Sequence, residues 1–252
     1  CWQWGWPDWP WGIHAAFDAP PAWPLGMNCP NPFVATDRML FKDRTDAGRR
    51  LATRLGHYTN KPDVIVLALP RGGVVVGYEV AGAVQAPLDV LLVRKLGVPG
   101  HEELALGAIA SGGVRVLNED VISMLGITSH EIERIAALEQ WELERRQQAY
   151  LGDREPTNVE DKTVILVDDG LATGATMRAA VEAMRSGGAA RVVVAIPTAP
   201  LDTCNLLSDL ADEIVCLTMP EPFYGVGGSY MDFTQVSDGE VKTLLEQAIH
   251  FV

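Results

Sequence analysis

Uninterrupted apolar runs alternate along this chain with segments in which apolar residues return every three or four positions. A run without polar interruptions predicts a strand that is buried on both faces, and a period of about 3.6 predicts an amphipathic helix. The runs lie at 63–70, 163–167, 191–196 and 213–218. The helical segments lie at 42–58, at 175–186 and at 201–210, and the segment 71–84 predicts a loop that leads into a further helix.

A further apolar run, 87–97, predicts another buried strand, which ends at Arg94 and Lys95. The glycine-rich stretch 97–113 comes next and shows no clear period. We therefore expect a flexible loop in this stretch, with room for a hairpin. The longest predicted helix covers 128–151, because a capping box precedes a segment of strong helix formers.

Buried strands that alternate with helices predict an α/β fold, in which a parallel twisted sheet is flanked by helices around a Rossmann-like core. We assign this fold to one domain, 39–252, with an irregular lobe at about 219–233 that we call the hood. In such a sheet, ligands bind outside the carboxyl ends of the strands. Polar residues follow the predicted strands at Arg71-Gly72-Gly73, Arg94-Lys95, Asp168-Asp169 and Thr198. The sequence therefore predicts one cleft at this edge.

Residues 1–38 differ from the rest of the chain in composition. They are rich in proline and contain every tryptophan except Trp141, and no period of two or 3.6 emerges. One interpretation is an aromatic platform that stacks sugars or bases. The other, which we favour, is a disordered or non-native extension with Met27 or Met39 as the true start, because residues 1–26 lack the Lys and Arg of a single-strand binder.

A formal net charge of −13 disfavours general binding to nucleic acid or to an anionic membrane, since both need clustered cations. The four cysteines show no CxxC spacing, which favours neither a zinc site nor a disulfide framework. No apolar stretch reaches the roughly 18 residues of a membrane span. These features predict a protein of the cytoplasm.

The segment 163–176, TVILVDDGLATGAT, joins a buried strand to a helix through two aspartates and a loop of small residues. The loop lacks the lysine of a Walker motif and the spacing of a dinucleotide motif. Its backbone N–H groups and the positive end of the helix can still hold one phosphate. Asp168 and Asp169 would repel a polyphosphate, but they can accept hydrogen bonds from vicinal sugar hydroxyls. The expected ligand is a ribose that carries a 5-phosphate.

This segment resembles the phosphoribosyl-pyrophosphate (PRPP) signature of the type I phosphoribosyltransferases, although Gly170 stands where many members carry Val or Ile. The segment 69–81, LPRGGVVVGYEVA, resembles the family's first-strand loop. Residues 93–113 are similar to the flexible loop that closes over PRPP, and 220–238 occupy the position of the base-selecting hood. Residues 40–245 together look most like predicted members of this family without an assigned substrate.

The resemblance implies a role for each matching residue. Asp168, Asp169 and Lys95 would be catalytic, and the two aspartates would also hold Mg²⁺. The substrate-binding residues would be Arg71, Gly72, Gly73, Arg94, Gly170, Ala172, Thr173, Gly174, Ala175, Thr176 and Tyr224.

The implied activity is transfer of 5-phosphoribosyl from PRPP to a nucleobase-like acceptor, with release of pyrophosphate and with Mg²⁺ as cofactor. The alternatives are a PRPP-sensing regulatory protein without catalysis and a phosphoribohydrolase or phosphatase. The implied partners are PRPP and an unidentified base, without nucleic acid or membrane, and a homodimer is left open.

Several polar and aromatic residues allow two interpretations each. His101, Glu102 and Glu103 do not have zinc spacing, and they fit an ordinary loop tip better than a catalytic role. Arg145 and Arg146 fit a charged helix face with acidic partners one turn away. The hood aromatics either stack a base or fill the hood's own core, and they are Phe223, Tyr224, Tyr230 and Phe233.

Overall fold

The computed structural model of the protein describes residues 40–98, 101–111, 113–152, 154 and 157–251, and of residues 101–105 the backbone alone. The described elements all belong to one unit, Arg38–Val252. The predicted extension 1–38 lies outside the described residues, so its assignment stays a prediction.

Strands and helices alternate over most of the described chain. The strands are β1 (Val64–Ala68), β2 (Leu88–Val90), β3 (Val93–Val98), β4 (His101–Ala110), β5 (Arg115–Leu117), β6 (Thr163–Val167), β7 (Arg191–Thr198) and β8 (Glu213–Thr218). The helices are α1 (Arg44–Arg54), α2 (Gly72–Val84), α3 (Glu119–Leu125), α4 (Ser129–Leu151), α5 (Ala175–Ser186), α6 (Leu201–Ser208) and α7 (Asp238–Ala248). Within these residues, no helix combines the length and apolar character that a membrane crossing needs.

In the described part of the chain, five parallel strands form the main sheet in the order β2-β1-β6-β7-β8. All residues of β1 and β6 are buried, because helices cover both faces. Val64 and Val66 face a core shared with α1, α2 and α7, whereas Ile65 and Leu67 face a core shared with α5 and α6. The predicted parallel sheet flanked by helices is confirmed.

The strand order reverses direction at β1. The chain moves from β1 outward to β2, and β6 then returns to the other side of β1. At such a reversal the helices that follow the two neighbouring strands lie on opposite faces, which opens a crevice at the carboxyl ends. The topology therefore places the crevice between the segments that follow Ala68 and Val167, which are paired in register.

The prediction of one strand over 87–97 is wrong. β2 ends at Val90, and β3 belongs to a second, antiparallel sheet with the order β3-β4-β5 among the described residues. The intervening Leu91 and Leu92 are buried, so the apolar run continues through the break and hides it. Arg94 and Lys95 consequently lie on β3, away from the carboxyl end of a main-sheet strand.

The stretch 97–113, expected as a flexible loop with room for a hairpin, contains a hairpin. β4 pairs with β3 on one side and with β5 on the other. Gly107 in β4 has φ of +158°, and a Cβ there would lie 2.1 Å from the carbonyl oxygen of Val116. The glycine is therefore needed for close pairing of β4 with β5.

Candidate active site

The two aspartates that follow β6 lie directly at the crevice. The backbone N–H of Asp169 donates to Oδ1 of Asp168 at 2.8 Å, which turns the chain sharply after the strand. Both residues remain partly exposed. Burial raises the pKa of Asp168 well above its usual range, and the charge of Asp169 raises it further. We call these residues the acid pair.

The amino end of α2 packs against the acid pair. A Cβ on Gly72 would lie 1.8 Å from Oδ2 of Asp169, and a Cβ on Gly73 would lie 2.9 Å from Cα of Asp168. Only glycine permits this approach. The positive end of α2 therefore lies beside two carboxylates. The structure brings the predicted residues Gly72 and Gly73 together with the acid pair.

Arg44 is a member of the site that the sequence reasoning missed. Its Nε donates to Oδ2 of Asp169 at 2.7 Å, and the side chains are 10% and 15% exposed. Its Nη1 donates to the carbonyl oxygen of Thr234 at 2.7 Å, and its guanidinium lies 3.9 Å from the ring centre of Phe233. Burial raises the pKa of Asp169, while Arg44 acts in the opposite direction.

The sequence does contain one signal for Arg44. It is the first residue of α1, directly after the N-cap Asp43. A cation at the positive end of a helix is unfavourable, so a partner elsewhere in the fold was to be expected.

The predicted phosphate loop joins the acid pair to α5, which begins at Ala175. Gly174 is the N-cap with φ of +70°, and a Cβ there would lie 2.7 Å from Cγ2 of Thr203. Thr203 Oγ1 donates to the carbonyl oxygen of Ala172 at 2.7 Å. α6 thus holds the loop from one side. The side chains that remain exposed on the loop and the first turn of α5 are Ala172, Thr173, Thr176 and Arg178.

Gly170 begins this loop in a confined space. Its φ is +155°, and a Cβ would lie 2.6 Å from Cγ1 of Val226 and 2.8 Å from Cγ2 of Thr198. The next residue, Leu171, donates its N–H to the carbonyl oxygen of Thr198 at 2.9 Å. The loop therefore starts from a fixed point between β7 and the hood, and Val or Ile would not fit at Gly170.

The hood is fastened to the acid pair. The hydroxyl of Tyr230 donates to the carbonyl oxygen of Asp169, and Oγ1 of Thr198 and Oγ of Ser229 lie 2.9 Å apart. Burial raises the pKa of Tyr230 far above its usual range, so the hydroxyl keeps its proton for this hydrogen bond. Tyr230 is 6% exposed and packs against the tilted ring of Phe41. Tyr230 therefore fills the hood's core.

The other hood aromatics have different surroundings. Phe233 packs against the guanidinium of Arg44. Tyr224 is 72% exposed and borders a cavity of about 20 Å³ together with Pro222 and Ser229. This space accepts about one water molecule, so a base would have to stack on the outer face of Tyr224 or move the hood.

The three predicted cations lie in three separate environments. Arg71 lies three positions after the end of β1, and its Nη1 lies 3.7 Å from Oδ1 of Asp238. Arg94 donates through Nε to Glu139 on α4 at 2.7 Å. Lys95 is exposed and borders a cavity of about 580 Å³ that extends to Ala175. Of the three, Arg71 is the one whose neighbour in the chain, Gly72, lies against the acid pair.

The acid pair could hold Mg²⁺ only if a bound phosphate compound and water supplied the remaining oxygen ligands. Within the described residues, no three side chains of the His, Cys, Asp and Glu types come together as a metal cluster. Two adjacent carboxylates, partly engaged by Arg44 and by a backbone N–H, offer a few oxygens. Mg²⁺ characteristically uses one or two carboxylates and takes its other ligands from water and phosphates.

Known proteins share both the sequence pattern and the fold. Residues 41–227 match the family model described as phosphoribosyl transferase domain. Two Mycobacterium tuberculosis proteins, from strains CDC 1551 / Oshkosh and ATCC 25618 / H37Rv, are each 47% identical over 209 residues and are provisionally named phosphoribosyl transferase. The alignment covers 83% of this chain and 47% of each relative, so the chain spans about half the length of these curated relatives.

A solved structure matches over nearly its whole length. The crystal structure of TT1426 from Thermus thermophilus is 42% identical, with a TM-score of 0.76, and the match covers 83% of this chain and 99% of that chain. The family model spans well over half of the present sequence and includes the acid pair and the phosphate loop. The chain therefore belongs to the phosphoribosyl transferase family.

Proposed function

We propose that this chain transfers the 5-phosphoribosyl group of PRPP to a nucleobase-like acceptor and releases pyrophosphate. The observation that carries the proposal is the contact between the acid pair and the amino end of α2, with the phosphate loop following in the same segment. Two helix amino ends and two carboxylates thus meet at one edge of the sheet. A sugar with phosphates on both sides has the matching distribution of charge.

The acid pair and the loop would divide the recognition of the ribose 5-phosphate. Asp168 and Asp169 would accept hydrogen bonds from the sugar hydroxyls. The 5-phosphate would bind the N–H groups at the start of α5, where Thr173 and Thr176 are exposed and can add their hydroxyls. Thr203 supports this geometry through Ala172.

In the reaction, the bond between the sugar C1 and the diphosphate oxygen breaks, a bond between C1 and an acceptor nitrogen forms, and the proton of that nitrogen passes to pyrophosphate or water. The electron pair of the broken bond leaves with pyrophosphate, and C1 becomes positively charged on the way. The acid pair would stabilise that charge, while Arg71, beside the acid pair, would stabilise the leaving group. Mg²⁺, held by Asp168 and Asp169 with PRPP, would supply charge neutralisation at the ribose and diphosphate oxygens.

Arg44 would act as a positioning residue for this chemistry. It holds Oδ2 of Asp169 in place and opposes the rise in the pKa of that carboxyl that burial causes. Asp169 therefore stays ionised more readily than burial alone would allow, and it can accept hydrogen bonds from the sugar.

The acceptor would be a nucleobase-like ring that stacks on Tyr224, which projects from the hood with 72% of its surface exposed. We also propose a cytoplasmic location, and we leave open a homodimer.

The test is incubation with PRPP and Mg²⁺ across a panel of purines, pyrimidines and pyridine acids, with pyrophosphate release as the readout. Release that requires one class of acceptor supports the transferase. Release without an acceptor indicates a hydrolase instead. Thermal stabilisation by PRPP without release indicates a sensor, and neither stabilisation nor release refutes the proposal.

A matched pair of variants controls this experiment. Asp168→Asn with Asp169→Asn should abolish PRPP binding in calorimetry, because the hydroxyl acceptors lose their charge. Glu160→Gln with Asp161→Asn removes two adjacent exposed acids at the other end of β6. This second variant should bind PRPP like the unmodified protein, and equal losses in both would point to a general charge effect.

A further inference from the structure

An arginine-lined cavity lies beside the segment that follows β1. The cavity has a volume of about 440 Å³ and is bordered by Pro70, Arg71, Arg145, Arg146, Ala149, Tyr150 and Asp238. Arg145 and Arg146 come from the last turns of α4, and Asp238 begins α7. We call this space the arginine cavity. The fold therefore gathers cations from two distant parts of the chain.

The arginine cavity has an excess of positive charge. Glu142 accepts from Nε of Arg145 at 2.8 Å and from Nε of Arg146 at 2.8 Å, so one carboxylate serves two guanidiniums. Asp238 lies 3.7 Å from Arg71, beyond hydrogen-bond distance. Three positive groups thus face two negative ones, in a chain whose formal net charge is −13. Such a local excess attracts an anion.

The remaining polar group of the cavity is a neutral hydroxyl. Tyr150 donates its O–H to Oδ1 of Asp238 at 2.8 Å. Burial and Asp238 together raise the pKa of Tyr150 to about 12, so the hydroxyl adds no negative charge at neutral pH. It also occupies Oδ1 of Asp238, the atom that lies closest to Arg71. Arg71 therefore has only a weak partner within the protein.

The arginine cavity and the acid pair lie next to each other along the backbone. Arg71 lines the cavity, and the following residue, Gly72, lies against the carboxylate of Asp169. A ligand whose sugar hydroxyls bind Asp169 would therefore lie beside Gly72, the residue that follows Arg71 of the cavity lining.

Arg94 and Lys95, the other cations that the resemblance assigns to the site, lie in less suitable positions for a diphosphate. Arg94 is paired with Glu139 through two contacts of 2.7 and 2.5 Å, and both side chains are less than one third exposed. Lys95 borders a different cavity, which extends to α5. α4, through Arg145 and Arg146, is the described element that brings further guanidiniums to Arg71.

We propose that Arg145 and Arg146 bind the diphosphate of PRPP together with Arg71, and that α4 is therefore part of the substrate site. The ligand class is an inorganic diphosphate or a diphosphate ester. Guanidinium groups bind phosphate oxygens through paired, charge-assisted hydrogen bonds, and a diphosphate offers enough oxygens for three of them. The inference rests on the proposed function, because it assigns residues to one end of the same substrate.

The test uses calorimetry on the full chain with two separate probes, magnesium pyrophosphate and ribose 5-phosphate. Arg145→Gln with Arg146→Gln should weaken pyrophosphate binding about tenfold or more, since two exposed charge-assisted contacts are lost. Ribose 5-phosphate binding should not change. The matched control is Arg49→Gln with Arg50→Gln, an adjacent pair on α1 that is also ion-paired to carboxylates.

A third variant acts in the opposite direction. Glu142→Gln frees both guanidiniums from their shared carboxylate, so pyrophosphate should bind a few times more tightly. This expectation holds even if replacing the arginines disturbs the helix. Weaker or unchanged pyrophosphate binding in Glu142→Gln would count against the assignment.

The outcomes separate this inference from the proposed function. If ribose 5-phosphate binds and pyrophosphate binding does not depend on Arg145 and Arg146, the inference is overturned and the proposed function stands. Arginine-dependent pyrophosphate binding without any binding of ribose 5-phosphate or PRPP supports the cavity as an anion site and refutes the function. Equal losses in the control pair would overturn the inference, because the effect would then follow net charge alone.

Discussion

Replacing Arg44 by Met should destabilise the protein in a way that depends on Asp169. The substitution keeps an unbranched apolar body for Phe233 and removes the charge. Asp169 then loses the donor that lies 2.7 Å from its Oδ2. The carbonyl oxygen of Thr234 loses its donor as well. A buried carboxylate without its partner is the expected result.

The size of the effect follows from burial. Because the two side chains are only 10% and 15% exposed, solvent screens the pair weakly. Removing one member of a buried pair costs about 3–5 kcal/mol, and the lower end applies to a site that retains some solvent. A loss of about 3 kcal/mol lowers the melting temperature of a domain of this size by about 6–12 °C.

The assay is urea unfolding of Arg44→Met, Asp169→Asn and the double variant at pH 7. If the cost of Arg44→Met comes from the stranded carboxylate, Asp169→Asn relieves it, and the coupling energy reaches about 2 kcal/mol. Additive effects of the two substitutions would refute this reasoning.

The pH dependence gives a second check with a defined sign. Burial already raises the pKa of Asp169 in the folded protein, and loss of Arg44 raises it further. A carboxyl whose pKa is raised on folding is most stabilising below its unfolded pKa of about 3.9, and this stability is lost as pH rises through the folded pKa. The loss of unfolding free energy caused by Arg44→Met should therefore become smaller as pH falls from 7. A constant loss would contradict the electrostatic origin.

Three further substitutions test the rest of the site. Gly170→Ala forces a Cβ to within 2.6 Å of Val226 and should cost about 2 kcal/mol in unfolding; an unchanged melting temperature would show that the turn adapts. Thr203→Val removes the hydrogen bond to Ala172 and should weaken ribose 5-phosphate binding several-fold in calorimetry; equal affinity would separate α6 from the site. Asp168→Asn removes a carboxylate whose pKa is raised, so stability at pH 7 should rise while PRPP affinity falls; a loss of stability would contradict this sign.

The parts of the structure that depend on neighbouring residues could be predicted from the sequence. β6 covers the predicted range, and α5 begins at Ala175 as expected, because an apolar run, a loop of small residues and a helix follow one another directly. α4 begins after the predicted cap at Thr128, whose capping box with Glu131 is present. The residues that give each of these signals lie close together in the sequence.

Three features that depend on distant residues were missed. Arg44 and Asp169 are 125 positions apart, and no residue near Arg44 in the sequence indicates which residue it pairs with. The break after β2 is invisible because Leu91 and Leu92 are buried where the chain leaves the main sheet. Arg145 was assigned to a charged surface because Glu142 satisfies it locally, and only the fold places Arg71 in the same cavity.

The topology explains why the acid pair lies close to the amino ends of two helices. β1 and β6 are paired neighbours, and the helices after them begin at the same edge of the sheet. A chain with a net charge of −13 cannot attract phosphates by its overall field, so attraction has to come from these helix ends and from local arginines. The acid pair lies beside the amino end of α2 and leads into the loop before α5, so under the proposed function it would meet the uncharged hydroxyls and the cationic carbon of a ribose.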